Sequence, residues 1–124
     1  MKTTLEELDA YQLSFSLAMK IFEVTKRFPK EEMYSLTDQI RRSSRSVTAN
    51  ISEAYRKRQY PAYFVSKLSD ADMENTETQT WLNFSKDCNY LSLEDFREFL
   101  QLSEKVGKIL GHMIRHPAKF TEFH

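Results

Sequence analysis

The sequence predicts an all-α protein, an antiparallel up-down-up-down four-helix bundle. The chain of 124 residues contains only two Gly and three Pro, whereas proteins built from strands spend many such residues on tight turns. Apolar residues recur at alternating steps of three and four along four segments, which is the spacing that places them on one face of a helix. The breaks between the segments are short, and short connections make neighbouring helices antiparallel.

The predicted helices cover approximately residues 5–28, 35–58, 61–87 and 93–114. Pro29 ends the first helix, because a proline disfavours the helical conformation of the residue before it. Ser35 and Ser92 are each followed three residues later by an aspartate, which is an N-cap signature. Pro61 suits the first position of the third helix. The core-facing seam of the first helix is predicted to consist of Leu8, Tyr11, Phe15, Ala18 and Phe22.

Length and composition favour a single domain over residues 1–124, with a loosely ordered tail at 117–124. The one cysteine, Cys88, excludes an intrachain disulfide and fits a reduced, cytoplasmic location. Acidic residues stand near the N-terminus, where a secretory signal needs an apolar run, and no segment has the roughly 18 apolar residues of a membrane span. No membrane association is therefore expected.

No catalytic residue, metal site or cofactor is predicted. A di-metal site in a bundle needs inward glutamates and Glu-x-x-His pairs, but none of His112, His116 and His124 follows a glutamate at that spacing. His112 and His116 share a helix face and are interpreted as a surface pair. The sequence also has no G-x-S-x-G nucleophile elbow and no Gly-rich phosphate loop. We therefore expect a protein that is not an enzyme.

Three polar residues fall on positions predicted to face the core, namely Asn50, Asn75 and Thr78. Burying an amide costs about 1–3 kcal/mol unless it is hydrogen-bonded. The favoured interpretation is a polar layer that fixes the register of the helices, as a single core Asn does in coiled coils. The alternative is the floor of a ligand pocket between the helices.

The second helix carries six cations, although the chain as a whole has 18 basic and 18 acidic residues. Small residues stand among these cations and would let further helices approach closely, so we expect a homo-oligomer. The cations themselves have two interpretations, contact with a nucleic acid or contact with another subunit. They are Arg41, Arg42, Arg45, Arg56, Lys57 and Arg58.

The stretch RFPKEEMYSLTDQIRRSSRSVTANISEAYRKR, at residues 27–58, resembles the signature of the bacterial four-helix-bundle proteins known as 23S rRNA intervening-sequence proteins. The chain departs from that pattern at Ala54, where the family has Gly, and at Ala71, Asp72 and Asn75 in the third helix. The matching residues are Phe28, Pro29, Glu32, Tyr34, Leu36, Gln39, Ile40, Arg41, Arg42, Ser46, Val47, Asn50, Ile51 and Glu53.

The resemblance implies an antiparallel four-helix bundle that assembles as a ring, a homopentamer in known relatives. A related branch is similar to the accessory proteins of diversity-generating retroelements, in which a basic bundle binds a reverse transcriptase and nucleic acid. We therefore predict a non-enzymatic oligomer that binds RNA or another nucleic acid through the basic face of the second helix. The alternative is a protein-interaction or scaffold module whose arginines serve subunit contacts.

Overall fold

The computed structural model describes residue 5 and residues 8–121, and the part of the chain so described contains helices and no strand. The all-α prediction and the four-helix bundle are confirmed. The helices are α1 (Asp9–Thr25), α2 (Leu36–Arg56), α3 (Pro61–Asp87), α4 (Leu93–Arg115) and the short α5 (Ala118–Thr121), with one 3-10 turn at Lys30–Glu32.

Each of the four long helices packs against two others, α1 and α3 both lying against α2 and α4. Glu53 pairs with Lys67 and Ser43 bonds to Thr78, so residue numbers rise in opposite directions along α2 and α3. The same reversal relates the other neighbours, as it must in an antiparallel bundle. The contacts that show this reversal between α1 and α2 are Thr48 with Ser14 and Arg41 with Thr25. Those between α1 and α4 are Lys20 with Glu98 and Arg27 with Asp95.

The apolar core consists of two clusters, one toward each end of the bundle. Ile51, Phe64 and Leu110 belong to the first, and Ile21 and Leu82 belong to the second. Each of the four long helices contributes residues to both clusters, and a short segment with buried polar side chains separates its two sets of apolar residues. These two clusters supply the burial that stabilises the bundle.

The start of α2 differs from its sequence signature. Ser35 is the N-cap residue, but its side chain accepts no bond from a backbone amide; its hydroxyl lies 2.6 Å from a carboxylate oxygen of Glu32. The same oxygen accepts the Leu36 amide at 3.4 Å. A carboxylate is stabilised at a helix N-terminus, so the Glu32 side chain provides the capping hydrogen bond that was expected from Ser35. In α4 the N-cap prediction is confirmed, because Ser92 accepts the Asp95 amide at 3.0 Å.

The bounds of α1 are shorter than predicted. Residues 6 and 7 lie outside the described residues, and the helix begins at Asp9. It ends at Thr25 because the amides of Lys26, Arg27 and Phe28 bond three residues back instead of four, which tightens the last turn. At the other end of the chain, the tail expected to be loosely ordered contains α5, whose Phe120 ring stacks on Phe64.

Glu32 also ties the first connection of the chain to the third. Its second carboxylate oxygen accepts the Tyr90 hydroxyl at 3.0 Å. The hydrogen bonds from Ser35 and Tyr90 lower the pKa of Glu32, and the bond to Glu32 raises the pKa of Tyr90 to about 12. Folding therefore favours the ionised glutamate and the neutral tyrosine. The stabilisation is present between the ordinary pKa values of the two groups; it is lost as pH falls through the pKa of Glu32, or rises through that of Tyr90.

Candidate functional site: the outer face of helices α1 and α2

The six cations predicted on the second helix do not form one cluster. Arg41, Arg42 and Arg45 lie in the first half of α2, Arg56 is its last residue, and Lys57 and Arg58 follow the helix. At 1.5 Å per residue, Arg42 and Arg56 are separated by about 21 Å along the axis. The structure therefore presents two separate groups of cations.

Arg41 is engaged within its own chain. Its Nε donates to the Thr25 hydroxyl at 2.8 Å, and its Nη2 lies 3.5 Å from the carbonyl oxygen of Phe22. That carbonyl belongs to the last turn of α1, where backbone acceptors lack helical partners and a positive charge is favourable. Arg41 therefore stabilises the end of α1 and is only partly exposed.

Three cations surround the ring of Phe22. Lys26 Nζ, Arg41 Cζ and Arg45 Cζ lie 4.8, 4.9 and 5.4 Å from the ring centroid, within the range of cation–π attraction. Among the described residues, the one ion pair that these cations make joins Lys26 Nζ to the Glu23 carboxylate at 3.2 Å. This Phe22 cation cluster therefore keeps a net positive charge at the surface, which favours an anionic group on a partner.

The remaining cations differ in exposure and partners. Arg42 leaves 75% of its side chain exposed, and its Nε is 3.9 Å from the Asp38 carboxylate, a geometry worth little in water. Arg56 is exposed, and its side chain makes no hydrogen bond or ion pair to the described residues. Arg58 lies 3.9 Å from the Tyr55 ring centroid and donates to the Tyr55 carbonyl. Arg42, Arg45 and Arg56 are thus the arginines best placed to meet a partner.

A groove of about 310 Å³ separates α1 and α2 on their outer side. Phe15 and Met19 form its α1 wall, and they are 49% and 47% exposed. Small side chains form most of the α2 side, so a further helix could approach the backbone of α2. This α1–α2 groove is lined by Phe15, Ala18, Met19, Arg45, Thr48, Ala49 and Ser52.

The groove overturns part of the predicted seam of α1, of which Leu8 and Ala18 are buried as predicted. Phe15 was expected in the core, but it is exposed, and Tyr11 and Phe22 are only partly buried. The residues of α1 that are buried in the bundle are Ala10, Ser14, Leu17, Ala18, Ile21, Val24 and Thr25. Two apolar stripes run along α1, and the apolar side chains alone did not reveal which one faces inward.

A polar layer crosses the bundle between the two apolar clusters, and every helix contributes to it. Asn75 donates to the Ser103 carbonyl at 2.9 Å and accepts the Ser103 hydroxyl at 2.8 Å; Gln79 donates to the same hydroxyl at 2.9 Å. Thr78 and Ser43 bond to each other at 2.9 Å. The partners Ser43 and Ser103 were not singled out from the sequence, although both occupy seam positions.

The third polar residue predicted for this layer, Asn50, lies elsewhere. It is half buried, and its amide donates to the Ser46 carbonyl one turn back in α2 at 2.9 Å. The layer continues instead through Ser14, which bonds to Thr48 at 2.9 Å. Asn75 and Thr78 are buried and hydrogen-bonded as a register layer requires, whereas Asn50 takes no part in the network.

Both described histidines, His112 and His116, belong to the C-terminal end of α4 and not to this face. The rings of His112 and His116 are 4.7 Å apart, and His124 is outside the described residues. Partial desolvation, then the neighbouring charges led by Lys119, lower the pKa of His112. Within the described residues, no group of three or more His, Cys, Asp or Glu side chains is arranged to hold a metal ion. None of the helices described there is long and apolar enough to cross a membrane.

Comparison with known proteins places the chain in a family. A search of curated proteins gives no match. A solved structure from Bacteroides thetaiotaomicron, a protein of unknown function from the S23 ribosomal protein family, is similar to it with 30% sequence identity and a TM-score of 0.77, over 86% of this chain and 95% of that one. The family model for the 23S rRNA-intervening sequence protein matches residues 6–112. The chain therefore belongs to the 23S rRNA-intervening sequence protein family.

Proposed function

We propose that the protein is a non-enzymatic, self-assembling helical bundle of the cytoplasm, and that the α1–α2 groove is the surface through which copies associate. The observation that carries this proposal is the second apolar stripe of α1. A helix on the surface of a monomer needs one apolar stripe, toward its core. In α1 the outer side also presents Phe15 and Met19, each about half exposed.

Burial of this groove would contribute usefully to association. Fully burying a Phe or Met side chain is worth about 1.5–3 kcal/mol, so covering the exposed halves of Phe15 and Met19 adds about 1 kcal/mol each. The small side chains of Thr48, Ala49 and Ser52 would allow close helix packing beside them. Interfaces draw much of their affinity from a few buried anchors of this kind.

The proposed assembly is a closed ring, and five subunits is the number that the resemblance implies. A ring needs a heterologous contact, in which one surface of each copy meets a different surface of the next. In this assembly Arg45, which lines the groove, and Arg42 on the adjacent exposed side of α2 would serve subunit contacts.

Sedimentation velocity of Ala49→Arg tests the proposal. Ala49 is exposed, so the new side chain fills the groove without entering the core. We expect the wild type to sediment as an oligomer and Ala49→Arg as a folded monomer with an unchanged circular dichroism spectrum. The matched control is Gln101→Arg on the exposed side of α4, which should sediment as the wild type does. A wild-type protein that stays monomeric at about 100 μM would overturn the proposal.

A second candidate function is binding of RNA or another nucleic acid. The observation that favours it is the exposure of Arg42 and Arg56 together with Lys57, because such cations can reach phosphates. Phosphate contacts make affinity fall steeply with salt, with a slope near −0.7 per contact for single strands. We expect Arg42→Ala/Arg56→Ala to weaken RNA binding and flatten that slope by about 1.4. The control is Lys108→Ala on α4. A lack of binding at about 50 mM salt would contradict this function.

A further inference from the structure

We infer that the occupant of the α1–α2 groove is the outer face of α3 from a second copy of the chain, so that subunits join head to tail. This inference rests on the proposed self-association and names the surface that completes it. Four features of the structure support it: the shape of the α3 face, its charge, the repulsion expected for a symmetric contact, and the character of α4.

The outer face of α3 is a narrow stripe of small side chains around Met73, and the exposed Phe84 lies three turns further along the same face. Met73 is 61% exposed, although it lies at the middle of a 27-residue helix. Methionine is unbranched and adapts to irregular apolar surfaces, so it suits a shallow groove walled by Phe15 and Met19. The small exposed neighbours at steps of three and four would let the two helices approach. The members of this Met73 stripe are Ser66, Ser69, Met73, Thr76 and Thr80.

The charges of the α3 face and of the α1–α2 groove are also complementary. Helix α3 carries five carboxylates and two lysines, whereas α2 carries four arginines and two carboxylates. Asp70 and Glu77 flank Met73 at i−3 and i+4 and lie on one side of the stripe. Within its own chain, Asp70 is 3.9 Å from Lys67, and Glu77 accepts the Trp81 indole at 3.3 Å. Both carboxylates are partly exposed, and a groove with Arg42 and Arg45 beside it would attract them.

The negative potential along α3 is already evident in the isolated chain. Partial burial, and then repulsion from Glu77 and Asp70, raises the pKa of Glu74. The carboxylates of Asp70 and Glu77 therefore lie close enough to disfavour the charge of Glu74. Cations supplied by a neighbouring subunit would relieve this repulsion. The Phe22 cation cluster, which keeps a net positive charge at the surface, could supply them.

Two other arrangements fit less well. If the α1–α2 groove met its own copy across a two-fold axis, one Phe22 cation cluster would approach the other, and like charges across an interface are unfavourable. The outer side of α4 offers a single large apolar residue among those described as exposed, Leu93 at its first position. Its exposed length is otherwise polar and of mixed charge, as at Glu104, Lys105 and Lys108, which is typical of a solvated face.

Charge reversal on each face tests the pairing. One variant carries Arg42→Glu/Arg45→Glu, the second carries Asp70→Arg/Glu77→Arg, and the third carries all four substitutions. Each one-sided reversal should raise the dissociation constant of the assembly at least about tenfold, since two favourable contacts become repulsive. The four-fold variant restores opposite charges and should regain most of that loss. The readout is sedimentation velocity over a concentration series, with circular dichroism as the check on folding.

The outcomes separate this inference from the proposed function. The control reversal is Glu104→Arg on the exposed side of α4, which should associate as the wild type does. If the Asp70→Arg/Glu77→Arg variant also associates normally while Ala49→Arg is monomeric, the pairing is wrong and the groove remains an interface with another occupant. If the wild type is monomeric, the proposed self-association itself fails.

Discussion

Replacing Ser103 by alanine should destabilise the bundle by more than the loss of one surface hydroxyl. Ser103 is fully buried, and its hydroxyl is bonded to both Asn75 and Gln79. The substitution removes the donor to the side-chain oxygen of Asn75, which is itself 98% buried. A buried polar atom left unsatisfied costs about 1–3 kcal/mol. We expect the free energy of unfolding to fall by that amount.

The double variant Asn75→Leu/Ser103→Ala isolates the cause of the loss. Removing both partners leaves no unsatisfied oxygen at Asn75, so the main loss that remains is the bond from the partly buried Gln79 amide to the Ser103 hydroxyl. Leucine is branched like asparagine and fills a similar space, although the Asn75 amide lies against Gly107 and leaves little room for change. The double variant should therefore lose less stability than the sum of the two single variants, with a coupling of about 1 kcal/mol.

Urea unfolding followed by circular dichroism measures these values, at one protein concentration because association contributes to stability. The control is Gln101→Ala, two residues before Ser103 in α4 but exposed and outside both proposed contact surfaces, for which we expect a change within about 0.5 kcal/mol. If Ser103→Ala is as stable as the control, or if the double variant is additive, the polar layer does not act as a network of mutually dependent bonds.

Three further changes test local features. Ser92→Ala removes the N-cap of α4 and should cost about 1 kcal/mol in urea unfolding, whereas equal stability would contradict the cap. Tyr90→Phe removes the donor to Glu32, so stability should fall less than in the wild type as pH rises from the ordinary pKa of tyrosine to about 12, and less as pH falls through the pKa of Glu32; an unchanged profile would refute the contact. Arg41→Ala should lower the melting temperature by freeing the end of α1, whereas Arg97→Ala, at an exposed position of α4, should not; equal effects would show that Arg41 has no special role.

Most of the fold could be predicted from the sequence because strong local signals mark the helix ends. Pro61 begins α3 and the Ser92 cap begins α4, and the predicted bounds of both helices agree with the structure within one residue. The start of α2 was harder, because its cap is a carboxylate from the preceding turn. Glu32 reaches the Leu36 amide only after the chain between them has folded into that turn.

The candidate site was harder to predict because its residues depend on tertiary packing. The cations of α2 were visible in the sequence, but their different roles were not: Arg41 serves the end of α1, while Arg42 remains exposed. Asn50 and Asn75 both occupied seam positions by spacing. Asn75 meets a backbone carbonyl of α4, whereas Asn50 is half buried and bonds within its own helix. The spacing of residues along a helix predicts which face they lie on. The side chains and backbone groups packed against that face then determine whether a polar residue joins the network.

The polar layer and the outer groove are linked through the rotation of α1. Apolar side chains line two sides of this helix, so hydrophobic burial alone allows either side to face the core. Ser14 distinguishes them, because it meets Thr48 at 2.9 Å in the observed orientation. Turning the helix by one residue, about 100°, would bring Phe15 toward the core and take Ser14 away from that partner. This polar bond inside the bundle, worth about 1 kcal/mol, favours the orientation that leaves Phe15 and Met19 outside, where their surface is available to another subunit.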